Sequence, residues 1–403
     1  MKRFNYEAKD QSTGKTVKAN IQADNEHAAA QLLLSQGFTP RSIKEDNGES
    51  NIFTKITGRI TTKDRVIFTR QLATLISAGL PLTQSLHTVL EQTQNKQLQT
   101  VIEDIIASVE GGKSLTESFG KHPRVFNNVF LALVTAGEAS GTLDEALRRI
   151  AAQQEKDAAM MSKIRGAMTY PIIVLAVIFG VVCFMLIVVV PQVKNLYVDL
   201  NQELPFITQI MVGLADTIVN FGVLIVIAIG VLIFFLRKYT QTEQGIRAVD
   251  TIKLNMPVFG TMFKKLYMAR FARTGQTLLN TGVPMLDMLR ITAQAVNNSL
   301  ISDSILRASE KVKGGKALSE SLKAEDTMLI FVPQMIKIGE QSGKVDEMMG
   351  KAAQVYEDEL DEEINSISTA IEPILMVVLA AVAGTLVAAI LLPIYGLVNN
   401  VGI

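Results

Sequence analysis

The chain has 403 residues, 48% of them hydrophobic, which is too apolar for a purely soluble protein of this length and places part of it in a membrane. Its 39 Lys and Arg balance 39 Asp and Glu, which excludes both a global basic field for nucleic acid and the acidic excess of a disordered chain. A single cysteine, Cys183, and three scattered histidines exclude a disulfide framework and a spaced metal motif, so no metal, cofactor or thiol chemistry is expected.

Residues 1–45 read as a small N-terminal β-β-α-β module. Phe4, Tyr6 and Ala8 alternate, Asp10 to Gly14 is turn-like, and Val17, Ala19 and Ile21 alternate again, which predicts a hairpin. Asp24 or Asn25 caps a helix over Glu26 to Gln36, Gly37 ends it, and Phe38 to Ile43 supplies a third strand. Met1-Lys2-Arg3 leads into Phe4, Asn5, Tyr6 and Glu7 instead of an apolar run, so no cleavable signal peptide is expected. Residues 46–62, polar and rich in Asn, Gly and Thr, read as a linker.

Residues 63–165 read as a first cytoplasmic helical bundle of about five or six helices. Leu72, Leu75, Ile76 and Leu80, then Leu82, Leu86, Val89 and Leu90, recur at three- and four-residue spacing. Ala78-Gly79-Leu80-Pro81 closes one helix with Gly and opens the next with Pro, and Ser114 with Glu117 is a capping-box pattern. The last helix, from about Leu143, is expected to run without interruption into the membrane, with Pro171 as a kink near the bilayer surface.

The first transmembrane helix is placed at 166–192. Within it Ile172 to Val190 is wholly apolar and long enough, at about 1.5 Å per residue, for a hydrocarbon core of roughly 30 Å. An external loop, 193–216, leads to a second span at 217–236, ended by Arg237 and Lys238. A second cytoplasmic bundle occupies 237–370, a third span 371–395, and an external tail 396–403. Lys163, Arg165, Arg237 and Lys238 flank one side of the first two spans while the loop between them carries only Lys194, which puts the N-terminus in the cytoplasm and the C-terminus outside. The fold class is therefore a mainly α integral membrane protein with two bundles, three spans and a small N-terminal module.

The two bundles are copies of one another. Phe68, Arg70, Gly79 and Pro81 match Phe271, Arg273, Gly282 and Pro284 at an offset of 203, as Gly111, Gly112, Lys113, Leu115, Glu117 and Ser118 match Gly314, Gly315, Lys316, Leu318, Glu320 and Ser321. Gly137, Glu138, Ser140, Gly141, Asp144 and Glu145 then match Gly339, Glu340, Ser342, Gly343, Asp346 and Glu347 at 202, so one residue has been lost between. Pro171 and Pro373 keep that register, and Pro373 is the second expected kink. Gly275 stands where the first copy has Leu72, which should weaken that helix by about 1 kcal/mol.

Gly112-Lys113-Ser114 resembles the end of a phosphate-binding loop, but that motif needs a glycine at 107, where alanine stands, and the second copy has Ala317 in place of the hydroxyl. An interhelical turn is the better reading. The Gly-Glu-x-Ser-Gly turns have a structural reading as helix ends, with Asp144 and Asp346 favoured by the following helix dipole. Their functional reading is a docking surface made of Glu138, Gly141 and Asp144 in one copy and Glu340, Gly343 and Asp346 in the other. A divalent cation shared by Glu138 and Asp144 is a weaker alternative, since such sites need more carboxylates. The acidic run from Glu357 to Glu363 is a solvated helix face or a surface for a basic partner at the membrane. No Ser, His and Asp constellation recurs, and no acid stands at the middle of a span, so neither hydrolysis nor a transport path is expected.

Taken together, these residues resemble the inner-membrane platform proteins of type IV pilus and type II secretion machines. The carriers are Phe68-Thr69-Arg70-Gln71-Leu72-Ala73-Thr74-Leu75 with Ala78-Gly79-Leu80-Pro81, the two Gly-Glu-x-Ser-Gly turns, Ala167-Met168-Thr169-Tyr170-Pro171 and Val190-Pro191-Gln192. The resemblance covers nearly the whole chain. It implies a non-enzymatic, oligomeric platform in the inner membrane that couples a cytoplasmic assembly or retraction ATPase to pilin or pseudopilin subunits, beside other inner-membrane assembly proteins. Pro191-Gln192 and Glu203-Leu204-Pro205 lean towards the pilus branch, with a type II secretion platform as the alternative and a transporter or channel subunit as a more distant one.

Overall fold

A computed structural model describes residues 2–10, 16–23, 30, 38–45, 59–199, 206–257 and 259–401. The chain forms two compact units, one of residues 1–60 with 94–98 and one containing the rest. In the first unit, β1 (Lys2–Asp10), β2 (Thr16–Ala23) and β3 (Phe38–Glu45) form an antiparallel sheet in the order β2-β1-β3, with Tyr6 opposite both Ala19 and Ile43. The turn expected at Asp10 to Gly14 lies, after Asp10, outside the described residues, as does all but Ala30 of the helix expected over Glu26 to Gln36.

The larger unit is helical and repeats itself. The first copy contributes α1 (Thr62–Ser77), α2 (Leu82–Gln92), α3 (Lys96–Glu110), α4 (Leu115–Gly120), α5 (Asn128–Ser140) and α6 (Leu143–Phe184). After a π-helical turn at Met185–Val189 come α7 (Val190–Asp199) and α8 (Phe206–Tyr239). An additional helix, α9 (Glu243–Asn255), precedes the second copy: α10 (Phe259–Asn280), α11 (Met285–Ala295), α12 (Ser299–Lys313), α13 (Leu318–Lys323), α14 (Phe331–Ser342) and α15 (Val345–Val401).

Local chemistry sets the helix ends. Thr61 and Asp64 close a reciprocal capping box at the start of α1. Gly79 and Gly282, at φ 85° and 81°, allow Leu80 and Val283 to donate back to Leu75 and Leu278, and Pro81 and Pro284 then open the next helices. Gly112 and Gly315 adopt the same left-handed backbone, so the Gly-Gly-Lys segments are interhelical turns.

The copies differ in what fills them. Phe68, Phe119, Phe126 and Phe130 form an aromatic cluster in the first bundle, with centroids 4.5–6.3 Å apart. In the second, Ala272 meets Ala352 and Ala353, and a Cβ at Gly275 would lie 2.3 Å from Met349 Cε. The glycine expected only to weaken α10 is therefore the gap that admits a methionine from α15.

Three helical stretches, Leu143–Asp199, Thr208–Tyr239 and Val345–Ala388, are long and apolar enough to cross a membrane. Their exposed side chains include Ile172, Phe179, Val223 and Ile374, as lipid-facing surfaces require. Pro171 lies inside α6 and Pro373 inside α15, and both helices continue through them. The change of winding sits at Met185–Val189, where Val190 donates to Met185, just before the N–H that Pro191 lacks. The stretch read as a loop, 193–216, is helical up to Asp199 and again from Phe206, because Leu186 and Val190 pack against Val212 and Ala215, and Lys194 pairs with Asp216 at 2.7 Å.

Candidate functional site

The two Gly-Glu-x-Ser-Gly turns end α5 and α14. Gly141 and Gly343, at φ 73° and 70°, are the left-handed caps, and Thr142 and Lys344 donate back to Gly137 and Gly339. The first glycine of each turn has a different task. A Cβ on Gly137 would lie 2.6 Å from Ala146 Cβ, and one on Gly339 2.7 Å from Val345 Cα, so these positions let the following long helix cross at contact distance.

The glutamates point back to the short helices. Glu138 accepts from the amides of Leu115 and Thr116 at 2.8 and 3.1 Å and from the Thr116 hydroxyl at 2.8 Å. Glu340 accepts from the amides of Leu318 and Ser319 at 2.6 and 3.3 Å and from the Ser319 hydroxyl at 2.5 Å. Each carboxylate thus takes up orphan N–H groups at a helix N-terminus distant in sequence. Burial would raise the Glu138 carboxyl, but the Leu115 amide, the Thr116 hydroxyl and the Thr116 amide together hold it below the usual carboxylate range. Ser114 also caps α4 through Glu117 N, whereas Ala317 has no side chain to do so at α13.

Asp144 is in the first turn of α6 and pairs with Arg148 at 3.4 Å, and Asp346 is in the first turn of α15. The structure brings the named turn residues close in the chain but gives Glu138 and Asp144 separate partners. Among the described residues no group of three or more His, Cys, Asp or Glu is placed to hold a metal ion.

The acidic run of α15 meets cations of this same chain. Lys156 and Lys163, on α6 of the first copy, reach Glu357 and Asp361 at 3.3 and 2.5 Å. Lys265 on α10 lies 3.1 Å from Glu359 and 2.9 Å from Glu363. Burial would depress the Lys265 ammonium, yet Glu363 and Glu359 raise it above the ordinary lysine value. Arg273 binds Glu357 through two parallel hydrogen bonds, and Arg70 meets Glu155 at the equivalent place in the first copy. The Lys156–Glu357 and Lys163–Asp361 pairs join the copies through α6 and α15, while the others tie helices within one copy.

Between the copies is a polar cavity of about 60 Å3 bordered by Gln153, Gln154, Asp157, Arg270 and Thr274. Gln153 Nε2, Gln154 Oε1, Asp157 Oδ1 and Arg270 Nε are buried there without a protein partner, so the space suits water better than an apolar ligand. Sequence reading missed this interface and the Arg–Glu pairs. The available signal was that Glu155 and Glu357 share the 202-residue offset, and that Lys156 and Lys163 stand seven apart on one helix face.

Comparison with known proteins follows the same duplication. Residues 68–191 and 271–393 each match the family model of "Type II secretion system (T2SS), protein F", and residues 1–44 match that of its N-terminal domain. The chain is similar to the type IV pilus assembly protein PilC of Thermus thermophilus, 36% identical over 407 residues and 99% of both chains. It is also similar to PilC of Myxococcus xanthus, 36% identical with 99% of this chain and 95% of the other covered. The type II secretion system protein F of Vibrio cholerae is 32% identical over 405 residues and 99% of both chains.

Proposed function

Since the chain belongs to the type II secretion system protein F family, we propose that it is the non-enzymatic inner-membrane platform of a type IV pilus assembly machine. In this reading it couples a cytoplasmic assembly ATPase to the entry of pilin subunits into the filament, as an oligomer and beside other inner-membrane assembly proteins. The observation that carries the reading is end-to-end correspondence with proteins named for pilus assembly, at 36% identity against 32% for the secretion relative. The equivalent platform of a type II secretion system is the second reading, favoured by the family description itself.

The finer assignments form one consistent scheme. The N-terminus and both bundles lie in the cytoplasm, the C-terminus lies outside, and residues 1–45 form a β-β-α-β module before the linker at 46–62. The surfaces around Gly141 and Asp144, and around Gly343 and Asp346, receive the ATPase, while Pro171 and Pro373 loosen the long helices where they enter the bilayer. No ATP hydrolysis is expected of the chain itself, because its nearest approach to a phosphate loop has alanine at the required glycine, Ala107.

The test is co-purification of the full-length protein in detergent with the assembly and retraction ATPases of its host. Asp144→Lys and Asp346→Lys are the informative variants, since charge reversal at Glu138 or Glu340 would uncap a helix instead of reporting on docking. Binding with an altered hydrolysis rate, lost in one variant, supports the platform and names the coupling bundle. Absence of binding together with solute flux in liposomes would replace it with the transporter reading. Crosslinking in cells to pilin or to pseudopilin separates the pilus branch from the secretion branch.

A further inference from the structure

Among the described residues of the first copy helix α9 has no counterpart, and its surface is reversed from that of a helix on a water-soluble bundle. Asp250 and Leu254, four apart, are buried towards α10 and α12, with Asp250 accepting from the amide and hydroxyl of Ser299 at 2.8 and 2.9 Å. On the opposite side, also four apart, stand Ile252 and Met256, 58% and 40% exposed. Ile246, four residues before Asp250, instead borders the polar groove with Asp250, Lys253 and Ser299. A helix facing only water would carry polar residues at 252 and 256.

Both ends of α9 are pinned at the level where the long helices become lipid-exposed. At its start, a Cβ on Gly245 would fall 1.9 Å from the carbonyl oxygen of Tyr239, so α9 turns directly off the last turn of α8. At its end, a Cβ on Gly260 would fall 2.6 Å from the Leu254 carbonyl oxygen, which makes the turn into α10 equally tight. Phe259, which begins α10, packs in the cluster of Ile364, Ile367 and Ile371. Ile371 precedes the exposed Ile374 by three residues, or about 4.5 Å along the helix. A helix of 13 residues, about 20 Å long, whose two ends lie at the bilayer surface must run along that surface.

We propose that α9 is an interfacial helix lying in the headgroup layer, with Ile252 and Met256 inserted into the lipid. Two further observations name the bilayer as occupant. Through the tight turn at Gly245, α9 follows directly on α8, which ends in exposed Phe234, Phe235 and Leu236, and the junction carries Arg237 and Lys238, cations suited to anionic headgroups. The second bundle is thereby held flat against the membrane along α9 as well as by its two spans. The proposal rests on α8 and α15 being membrane-spanning.

The test uses the full-length protein with Cys183→Ser, which removes its only cysteine. Single cysteines at Ile252→Cys, Met256→Cys, Thr251→Cys and Gln244→Cys are labelled with an environment-sensitive fluorophore and reconstituted in phosphatidylcholine–phosphatidylglycerol vesicles. Val226→Cys, in α8, is the positive control: if doxyl-labelled lipid fails to quench it, the reading of α8 as a span has failed, and the proposal with it. With that control quenched, labels at 252 and 256 should be blue-shifted and quenched by doxyl-labelled lipid several-fold more than labels at 251 and 244. Equal access of aqueous iodide to all four sites would overturn the proposal. So would labels at 252 and 256 that are shielded from both quenchers and transfer energy between copies, since a second chain would then cover the stripe. Only variants that elute as wild type from gel filtration are read, and either position, 252 or 256, decides the question.

Discussion

Arg273 donates through Nε and Nη2 to the two carboxylate oxygens of Glu357, at 2.7 Å each, and both side chains are largely buried. Arg70 and Glu155 make the corresponding contact in the first copy, where Arg70 is well exposed. Removing Arg273 leaves the largely buried Glu357 with only the half-exposed Lys156 at 3.3 Å, so Arg273→Ala should cost about 3 kcal/mol. Arg70→Ala should leave the melting midpoint close to wild type, because water replaces the partner of an exposed ion. Thermal unfolding of the two variants in one detergent checks the contrast, and equal losses would contradict it.

The capping glutamates predict a second asymmetry. Glu138→Ala leaves Ser114 to cap α4, whereas Glu340→Ala leaves α13 with Ala317 and no side-chain acceptor there. Each loss should be about 1 kcal/mol, with Glu340→Ala the larger. Hydrogen exchange at the amides of Leu115 and Leu318 reads the two sites separately.

Acid should weaken the fold through carboxylates held below their ordinary values. Burial would raise Glu325, but Arg307 and Lys311, at 2.5 and 2.8 Å, outweigh it and lower the carboxyl, as happens at Glu138. A depressed folded pKa means that the stabilisation is fully present above the unfolded value, about 4.3, and is lost as pH falls through the folded one. Melting midpoints should therefore drop below about pH 4.5, and Glu325→Gln should lower the midpoint at pH 7 while flattening its acid dependence. A variant with unchanged acid dependence would remove Glu325 from this account.

Glycine positions give a fourth test. Gly339→Ala would press its methyl against the Val345 backbone, which cannot rotate aside, and should cost about 1–3 kcal/mol. Gly275→Leu, which installs the residue of the first copy, would collide with Met349 and Met288 and should destabilise the protein although leucine is the better helix former. A stabilised Gly275→Leu variant would show that the methionines move away without cost.

The features legible in the sequence are those with a local cause. Left-handed glycines at 79, 141, 282 and 343, prolines opening α2 and α11, and apolar runs all act within a few residues of where they stand. Glu138 and Glu340 were visible as repeated acids, but their partners lie about 20 residues upstream and are found only when the bundle closes. The acidic run of α15 looked solvated because Lys156 and Lys163 belong to the other copy, about 200 residues away. Gly275 looked like a defect because Met349 is invisible from its own helix. Loop length between the first two spans was overread, since polar residues such as Lys194 and Asp216 also pair across adjacent helices.

The π-helical turn at Met185–Val189 has the arithmetic of an insertion. One surplus residue absorbed in a wider turn sets back the phase of everything after it by about 100° relative to an unbroken spiral. Lys194 faces Asp216 because of that slip, so deleting one residue between 185 and 189 would restore ordinary winding and leave the pair in register. Deleting a residue between 190 and 193 would turn the lysine towards another side of the helix.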